Sequence, residues 1–241
     1  KGNAIGSGIS QISLMFGISI LIAGKVKGEK EKILFLGGCA TLSAILGVSI
    51  LTKGYISRLD GGLLISSYFI LVYFLSVGVR RDYFKVEIEE AAYKAKTKEY
   101  ALRTTYTITG VVIGSIITVY MLIRLSNLMG VSEYIISYVL MSINTSIPEL
   151  FIAISALKER EYGIAVGDIF GSNIADITLS MGIGPLIKPN YFTSTNPVFS
   201  GLYLVIITAL ITLYFGHKER LGRKEAIMMI GLYGLSYLII L

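Results

Sequence analysis

Residues 167–187 read "GDIFGSNIADITLSMGIGPLI", and residues 2–22 read "GNAIGSGISQISLMFGISILI". With an offset of 165 the two stretches align without a gap and agree at ten of 21 positions. The agreements include Gly2/Gly167, Gly6/Gly171, Ser7/Ser172 and Gly17/Gly182; the other six are Ile or Leu pairs. Greasy helices coincide at Ile and Leu through composition alone. They do not readily coincide at every glycine and serine of a G-x-x-x-G-S pattern. The chain therefore carries an internal repeat, and a repeat governs how the rest is read.

The surroundings are as apolar as the repeat. Of 241 residues, 54% are hydrophobic and 16% charged, with mean hydropathy +0.70; an ordinary soluble domain is about a quarter charged. Eight apolar runs lie near 4–24, 33–51, 59–79, 104–123, 133–157, 163–184, 198–216 and 226–241. About 20 such residues span a bilayer as a helix. Eight runs of this length cannot be hidden behind so few polar residues, so an all-α polytopic membrane protein is expected. The repeat copies are the first and sixth runs, so they cross in opposite directions. Inverted repeats mark secondary transporters, whose substrate sits near the midplane where the repeats meet.

The net charge of +6 falls in short connectors and reads as membrane topology, not as a nucleic-acid surface. Connectors 25–32, 80–103, 158–162 and 217–225 hold 17 of the 22 Lys and Arg. That bias places them in the cytoplasm and both ends of the chain outside. The mixed-charge connector 80–103 reads as a solvated linker between halves. Cys39 lies alone in an apolar run, so neither a disulfide nor a zinc cluster is expected. His217, the single histidine, opens a charged connector. No nucleophile–histidine–acid set and no phosphate loop exist, which excludes the common enzyme classes. The chain opens at Lys1 without a methionine or a signal peptide, as expected of a sequence lacking its beginning.

Chemistry concentrates in two adjacent runs. "SINTSIPELFIAISALK", residues 142–158, sets Asn144, Thr145, Ser146, Pro148 and Glu149 in an apolar frame. Pro148 is expected to kink or break its helix and free the Asn144 carbonyl. A freed carbonyl at membrane depth must be buried in protein or face a cavity or an ion. Glu149 and Asp176 lie deep in their runs, where an acid costs about 2.5–3.5 kcal/mol on insertion scales. Hard cations take oxygen ligands, six to eight or so for Ca²⁺. Glu149, Asp176, Thr145, Ser146, Ser172 and Asn173, with backbone carbonyls, form such a set. No basic residue lies mid-run to receive an anion. Asp168 and its repeat partner Asn3 lie near a run's start, where capping or an entrance role is expected. Asp60 and Glu133, at run ends, read as caps or interface residues. The Gly2/Gly6 and Gly167/Gly171 spacings suit close helix approach.

The stretch "NTSIPELFIAISALKEREYGIAVGDIFGSNIADI" resembles the second α-repeat of the calcium/cation antiporter superfamily, its sodium/calcium exchanger branch above all. There the pattern runs roughly G-T-S-x-P-E and then G-N-x-x-G-S-N-I-x-(D/N). The start of this chain resembles the later part of the first α-repeat. The resemblance implies two inverted five-helix halves, ten helices in all, exchanging Na⁺ for Ca²⁺ at one central site. It implies Glu149 as principal ligand, Thr145 and Ser146 as hydroxyl and carbonyl ligands, and the Ser142 carbonyl in a Na⁺ site. Ser172 and Asp176 line the site from the next helix, mirrored by Ser7 and Gln11 from the first repeat. The family's glycine before Thr-Ser is Asn144 here, its alanine two residues earlier is Ser142, its first-repeat Asn or Asp is Gln11, and Gly8 replaces a small polar residue.

The resemblance further implies that eight of ten transmembrane helices are present. Two earlier helices, carrying the partner acid of Glu149, are expected to complete the site. Residues 1–79 form the remainder of the first repeat, 80–103 the linker and 104–241 the second repeat. The expected substrates are Ca²⁺ and Na⁺ in the plasma membrane, with no cofactor and no nucleic-acid partner. Proton-coupled Ca²⁺ exchange and a non-transporting membrane scaffold are the alternatives.

Overall fold

The computed structural model describes residues 2–78, 97–191 and 195–240. They form eight helices: α1 (Gly2–Ala23), α2 (Lys30–Leu51), α3 (Arg58–Gly78), α4 (Thr97–Met129), α5 (Glu133–Lys158), α6 (162–187), α7 (Asn196–Lys218) and α8 (Arg223–Ile240). Lipid offers the backbone no hydrogen-bond partner, so long apolar runs must close their bonds internally as helices. Six of the eight, α1 to α5 and α7, are long and apolar enough to cross a membrane. In α6 the polar residues Asp168, Ser172, Asn173 and Asp176 interrupt the apolar run, and α8 opens on Arg223, Lys224 and Glu225. Much of connector 80–103 lies outside the described residues, and from Thr97 the backbone is helical and continues into α4.

Helix faces follow a membrane pattern. On α7, Phe199, Leu202, Ile206, Leu210 and Leu213 are exposed at helical spacing, while Ser200, Leu204, Ile207, Thr208, Ile211 and Phe215 are buried. An outward apolar stripe over a mixed interior is the reverse of a soluble helix. Helix α4 is largely exposed along Thr105–Met129, Ser126 being buried, and has the start of α5 as its principal neighbour among the described residues.

The offset of 165 runs through the tertiary structure. The C-terminal part of α1 packs on α8, and that of α6 packs on α3. A Cβ on Gly17 would meet the Ala226 carbonyl at 2.9 Å and Ile230; one on Gly182 would meet the Gly61 carbonyl and Ile65, both at 3.0 Å. Each of these residues lies 165 positions from its counterpart. Strand β1 (Lys25–Lys27) pairs antiparallel with β4 (Arg220–Gly222), and β2 (Tyr55–Ile56) with β3 (Asn190–Tyr191). The symmetry exchanges the two ribbons. It also puts connectors 25–32 and 217–225 at the same end of the molecule, as the charge bias requires.

The same capping device appears at both ends. Lys53 Nζ donates to Asp60 Oδ1 at 2.7 Å, and the Ser57 amide donates to Asp60 Oδ2 at 2.9 Å. In the other half, Lys218 donates to Glu225 Oε1 at 2.8 Å and the Gly222 amide to Glu225 Oε2 at 2.9 Å. Asp60 is thus a cap. Helix α5 is capped by Ser132, which accepts from the Ile135 amide, with Glu133 in its first turn.

Two expectations of local geometry change. The helix is not broken at Pro148: α-helical backbone runs unbroken over Ser142–Lys158. The departure from α geometry lies about two turns earlier, in π-helical Ser137–Met141, with matching π segments at Ser10–Met15 in α1 and Asp176–Ser180 in α6. Close approach holds for one glycine pair and not the other. Cβ atoms on Gly2 and Gly6 would clash with the Tyr134 carbonyl and with Ser142, whereas Gly167 and Gly171 have nothing within 4 Å among the described residues.

Forcing a side chain into the paired crossings should separate them. Overpacking costs about 1–3 kcal/mol, so Gly17→Leu and Gly182→Leu should each lower Tm by about 2–10 °C. Gly38→Ala, where an added Cβ meets nothing within 4 Å, should not lower it. Thermal melts of the purified protein provide the measurement.

Candidate functional site

The two repeat helices cross at their π segments, and residues at equivalent positions meet there. Gln11 Nε2 donates to Asp176 Oδ2 at 3.3 Å. The two residues are 165 apart, so the bond lies across the pseudo-twofold. A second equivalent pair, Gly8 and Asn173, stands beside it: a Cβ on Gly8 would lie 2.7 Å from Asn173 Oδ1. Both pairs are unlike: a glycine faces Asn173, and an amide faces the Asp176 carboxylate without adding a second negative charge. π-Helical segments inside α-helices recur at functional sites because the wider turn re-aims side chains.

Polar groups radiate from the crossing. The Ser172 hydroxyl lies within donating distance of Gln11 Oε1 (3.1 Å) and of the Asp168 main-chain oxygen (2.7 Å). Ser7, its equivalent, sits 2.9 Å from Thr145 Oγ1 on α5. Thr145 Oγ1 in turn reaches Asn3 Oδ1 at 3.1 Å. Ser146 donates to the Ser142 carbonyl at 2.8 Å, and the Ser142 hydroxyl donates to the Tyr138 carbonyl. Asn173 donates its Nδ2 to the Ile169 carbonyl of its own helix at 3.0 Å. Of the residues singled out from sequence, Ser7, Gln11, Thr145, Ser172 and Asp176 are joined across helices by these bonds. Ser142 and Ser146 are buried on α5, and Asn173 is turned against its own helix and Gly8.

Glu149 is half-buried, with Oε2 fully enclosed and without a hydrogen-bond partner, and its charge acts on both Asp168 and Asp176. Asp168 lies six residues inside α6 and caps nothing; its Oδ2 is likewise enclosed and unpartnered. The described ion pairs, Lys32–Glu29, Lys53–Asp60 and Lys218–Glu225, lie at helix ends. None reaches these three acids. Among the described residues no three His, Cys, Asp or Glu side chains form a metal cluster, so the oxygens here are mostly hydroxyl, amide and carbonyl. Asn144, Thr145 and Pro148 are exposed, leaving one face of the α5–α6 pair open among the described residues.

Sequence reasoning paired Asn3 with Asp168 but did not count it among the site residues, although its oxygen bonds the site threonine. The signal was its place in the repeat, one turn before Ser7. The π segments had no signal in composition.

The profile of the family described as "Sodium/calcium exchanger protein" matches residues 1–77 and 100–241. An uncharacterised membrane protein of Methanocaldococcus jannaschii is 26% identical, over 96% of this chain and 73% of its own length. The putative antiporter CaxA of Alkalimonas amylolytica is 24% identical, over 99% of this chain and 77% of its own. Among solved structures, the sodium-calcium exchanger NCX_Mj, soaked with 10 mM Na⁺ and zero Ca²⁺, superposes with TM-score 0.64 at 26% identity, covering 98% of this chain and 75% of that one. The H⁺/Ca²⁺ exchanger CAX superposes with TM-score 0.71 at 16% identity, over 98% and 64%, a likeness of fold alone.

The axial bond is open to direct test. Gln11→Leu removes the Gln11 donor from Asp176 and should destabilise by about 1–3 kcal/mol. A double-mutant cycle with Asp176→Leu should show coupling of about 0.5–3 kcal/mol, read by chemical or thermal unfolding.

Proposed function

This chain belongs to the sodium/calcium exchanger protein family, and we propose that it is a secondary active antiporter exchanging Na⁺ for Ca²⁺ by alternating access. One observation carries the reading: three acids, Glu149 on α5 and Asp168 and Asp176 on α6, stand well inside their helices with no basic partner among the described residues. An uncompensated buried carboxylate is costly. Side chains here supply negative charge and oxygen lone pairs, and a cation supplies the rest.

The donor chemistry suits Ca²⁺ and Na⁺. Both are hard ions, and Ca²⁺ takes six to eight or so oxygens in flexible geometry. In this reading Glu149 and Asp176 bring the charge. Thr145, Ser146, Ser172 and Ser7 bring hydroxyl oxygens, Ser142 a carbonyl and Gln11 its amide oxygen. Asn173 packs the crossing instead of binding ion. Gln11 holds the Asp176 carboxylate in place without adding charge. When the ion leaves, Thr145 and Ser7 satisfy one another, so the emptied site does not strand their hydroxyls. The glycine-lined crossings Gly17–Ala226 and Gly182–Gly61 form a rigid frame against which α5 and α6 expose the site alternately. Residues 1–79 and 104–241 contribute inverted halves, 80–103 links them in the cytoplasm, and both ends of the chain lie outside a plasma membrane.

The fold shared with CAX gives proton coupling a specific footing, since the same unpaired carboxylates accept protons as readily as cations. Reconstituted vesicles separate the two. An outward-directed Na⁺ gradient should drive Ca²⁺ uptake, and a pH gradient alone should not. Glu149→Gln should cut the Na⁺-driven flux at least about tenfold, since about 1.4 kcal/mol of lost ion binding is already a tenfold effect. Uptake driven by pH and indifferent to Na⁺ would assign the chain to proton coupling.

A further inference from the structure

The repeat copies carry matching ladders of polar residues at four-residue spacing. In α1 the ladder is Asn3, Ser7 and Gln11; in α6 it is Asp168, Ser172 and Asp176. The first is neutral and the second holds two acids. Position 3/168 faces the site region in both copies. Asn3 Oδ1 accepts from Thr145, and Asp168 lies where it interacts with the charge of Glu149. Asn3 has a partner for its oxygen, whereas Asp168 Oδ2 is enclosed and has none. Structure alone does not require an acid there, because an amide fills the equivalent place in the other half. Nor does Asp168 cap its helix or join an ion pair among the described residues.

Depth orders the three acids. At 1.5 Å per residue, Asp168 lies about 9 Å from the start of α6, Glu149 about 14 Å from the end of α5 and Asp176 about 21 Å from the start of α6. Both helix ends adjoin the 159–161 connector. The acids thus descend from that end of the molecule to the crossing at the centre. On the opposite side the equivalent ladder offers no charge.

We propose that Asp168 is a carboxylate station for a divalent cation on the path between the central site and the 159–161 end, and that it gives that face the higher Ca²⁺ affinity. The proposal rests on the cation-antiporter reading. Asp168 is not a ligand of the central ion; it draws Ca²⁺ toward Glu149 and holds it on the way out. A unit charge at such distances in a partly buried setting shifts divalent affinity by about three- to tenfold.

Inside-out and right-side-out vesicles carrying the full chain measure the half-saturating Ca²⁺ concentration at each face. Asp168→Asn, which restores the residue type of Asn3, should raise it about three- to tenfold at the 159–161 face and leave the other within about twofold. Asp168→Glu, which keeps the charge, should restore the wild-type value and shows that the asparagine variant did not act through misfolding. Asn3→Asp should lower the half-saturating concentration at the opposite face. An equal shift at both faces would make Asp168 a central ligand and overturn the proposal, as would no shift at either. A wild type that moves no Ca²⁺ refutes the antiporter reading alone. The station is then judged by calorimetric Ca²⁺ titration of the full chain. There Asp168→Asn should weaken binding several-fold, and equality with wild type overturns the proposal.

Discussion

The crossing of α1 and α6 is the constraint on which the rest of the molecule depends. Two helices of like sequence run in opposite directions and touch at two equivalent pairs, Gln11 with Asp176 and Gly8 with Asn173. The chain sets a glycine against Asn173 and an amide against Asp176 there. Symmetry of backbone is kept by breaking symmetry of side chain. The π turns at Ser10–Met15 and Asp176–Ser180 belong to the same solution, since both copies bulge where they meet.

From that crossing outward the symmetry is nearly complete. Gly17 against α8 repeats as Gly182 against α3, and the Lys53–Asp60 cap repeats as Lys218–Glu225 at the far end. The elements that frame the site are duplicated, whereas Asp168 and Asp176 have the neutral Asn3 and Gln11 at the equivalent positions. The repeated frame thus holds two ladders of unlike charge, one neutral and one with two acids. The exposed apolar stripes of α4 and α7 complete the picture, because lipid in place of water lets such surfaces face outward without cost.

Much of this was legible in the chain. Apolar runs gave eight helices in nearly their observed places, since a bilayer sets helix length with little latitude. The glycines and serines marked the repeat, the count of runs between its copies gave its inversion, and Lys and Arg placed connectors 25–32 and 217–225 on one side, where β1 and β4 indeed pair. Of the kink or break expected at Pro148, the break does not occur, since α-helical backbone continues through it. Gly167 and Gly171 misled. Spacing announces that a helix can approach, and not that one does.

Sequence by itself determined the class of the protein, the offset of its repeat and the acids inside its apolar runs, because these depend on local composition and on period. Tertiary structure decided which oxygens meet. That Gln11 answers Asp176, that Asn3 and Ser7 reach Thr145, and that Asp168 stands unpartnered depend on the angle and register at which two distant helices cross. Those are fixed by glycine contacts and π turns spread over the whole chain, and no short stretch contains them.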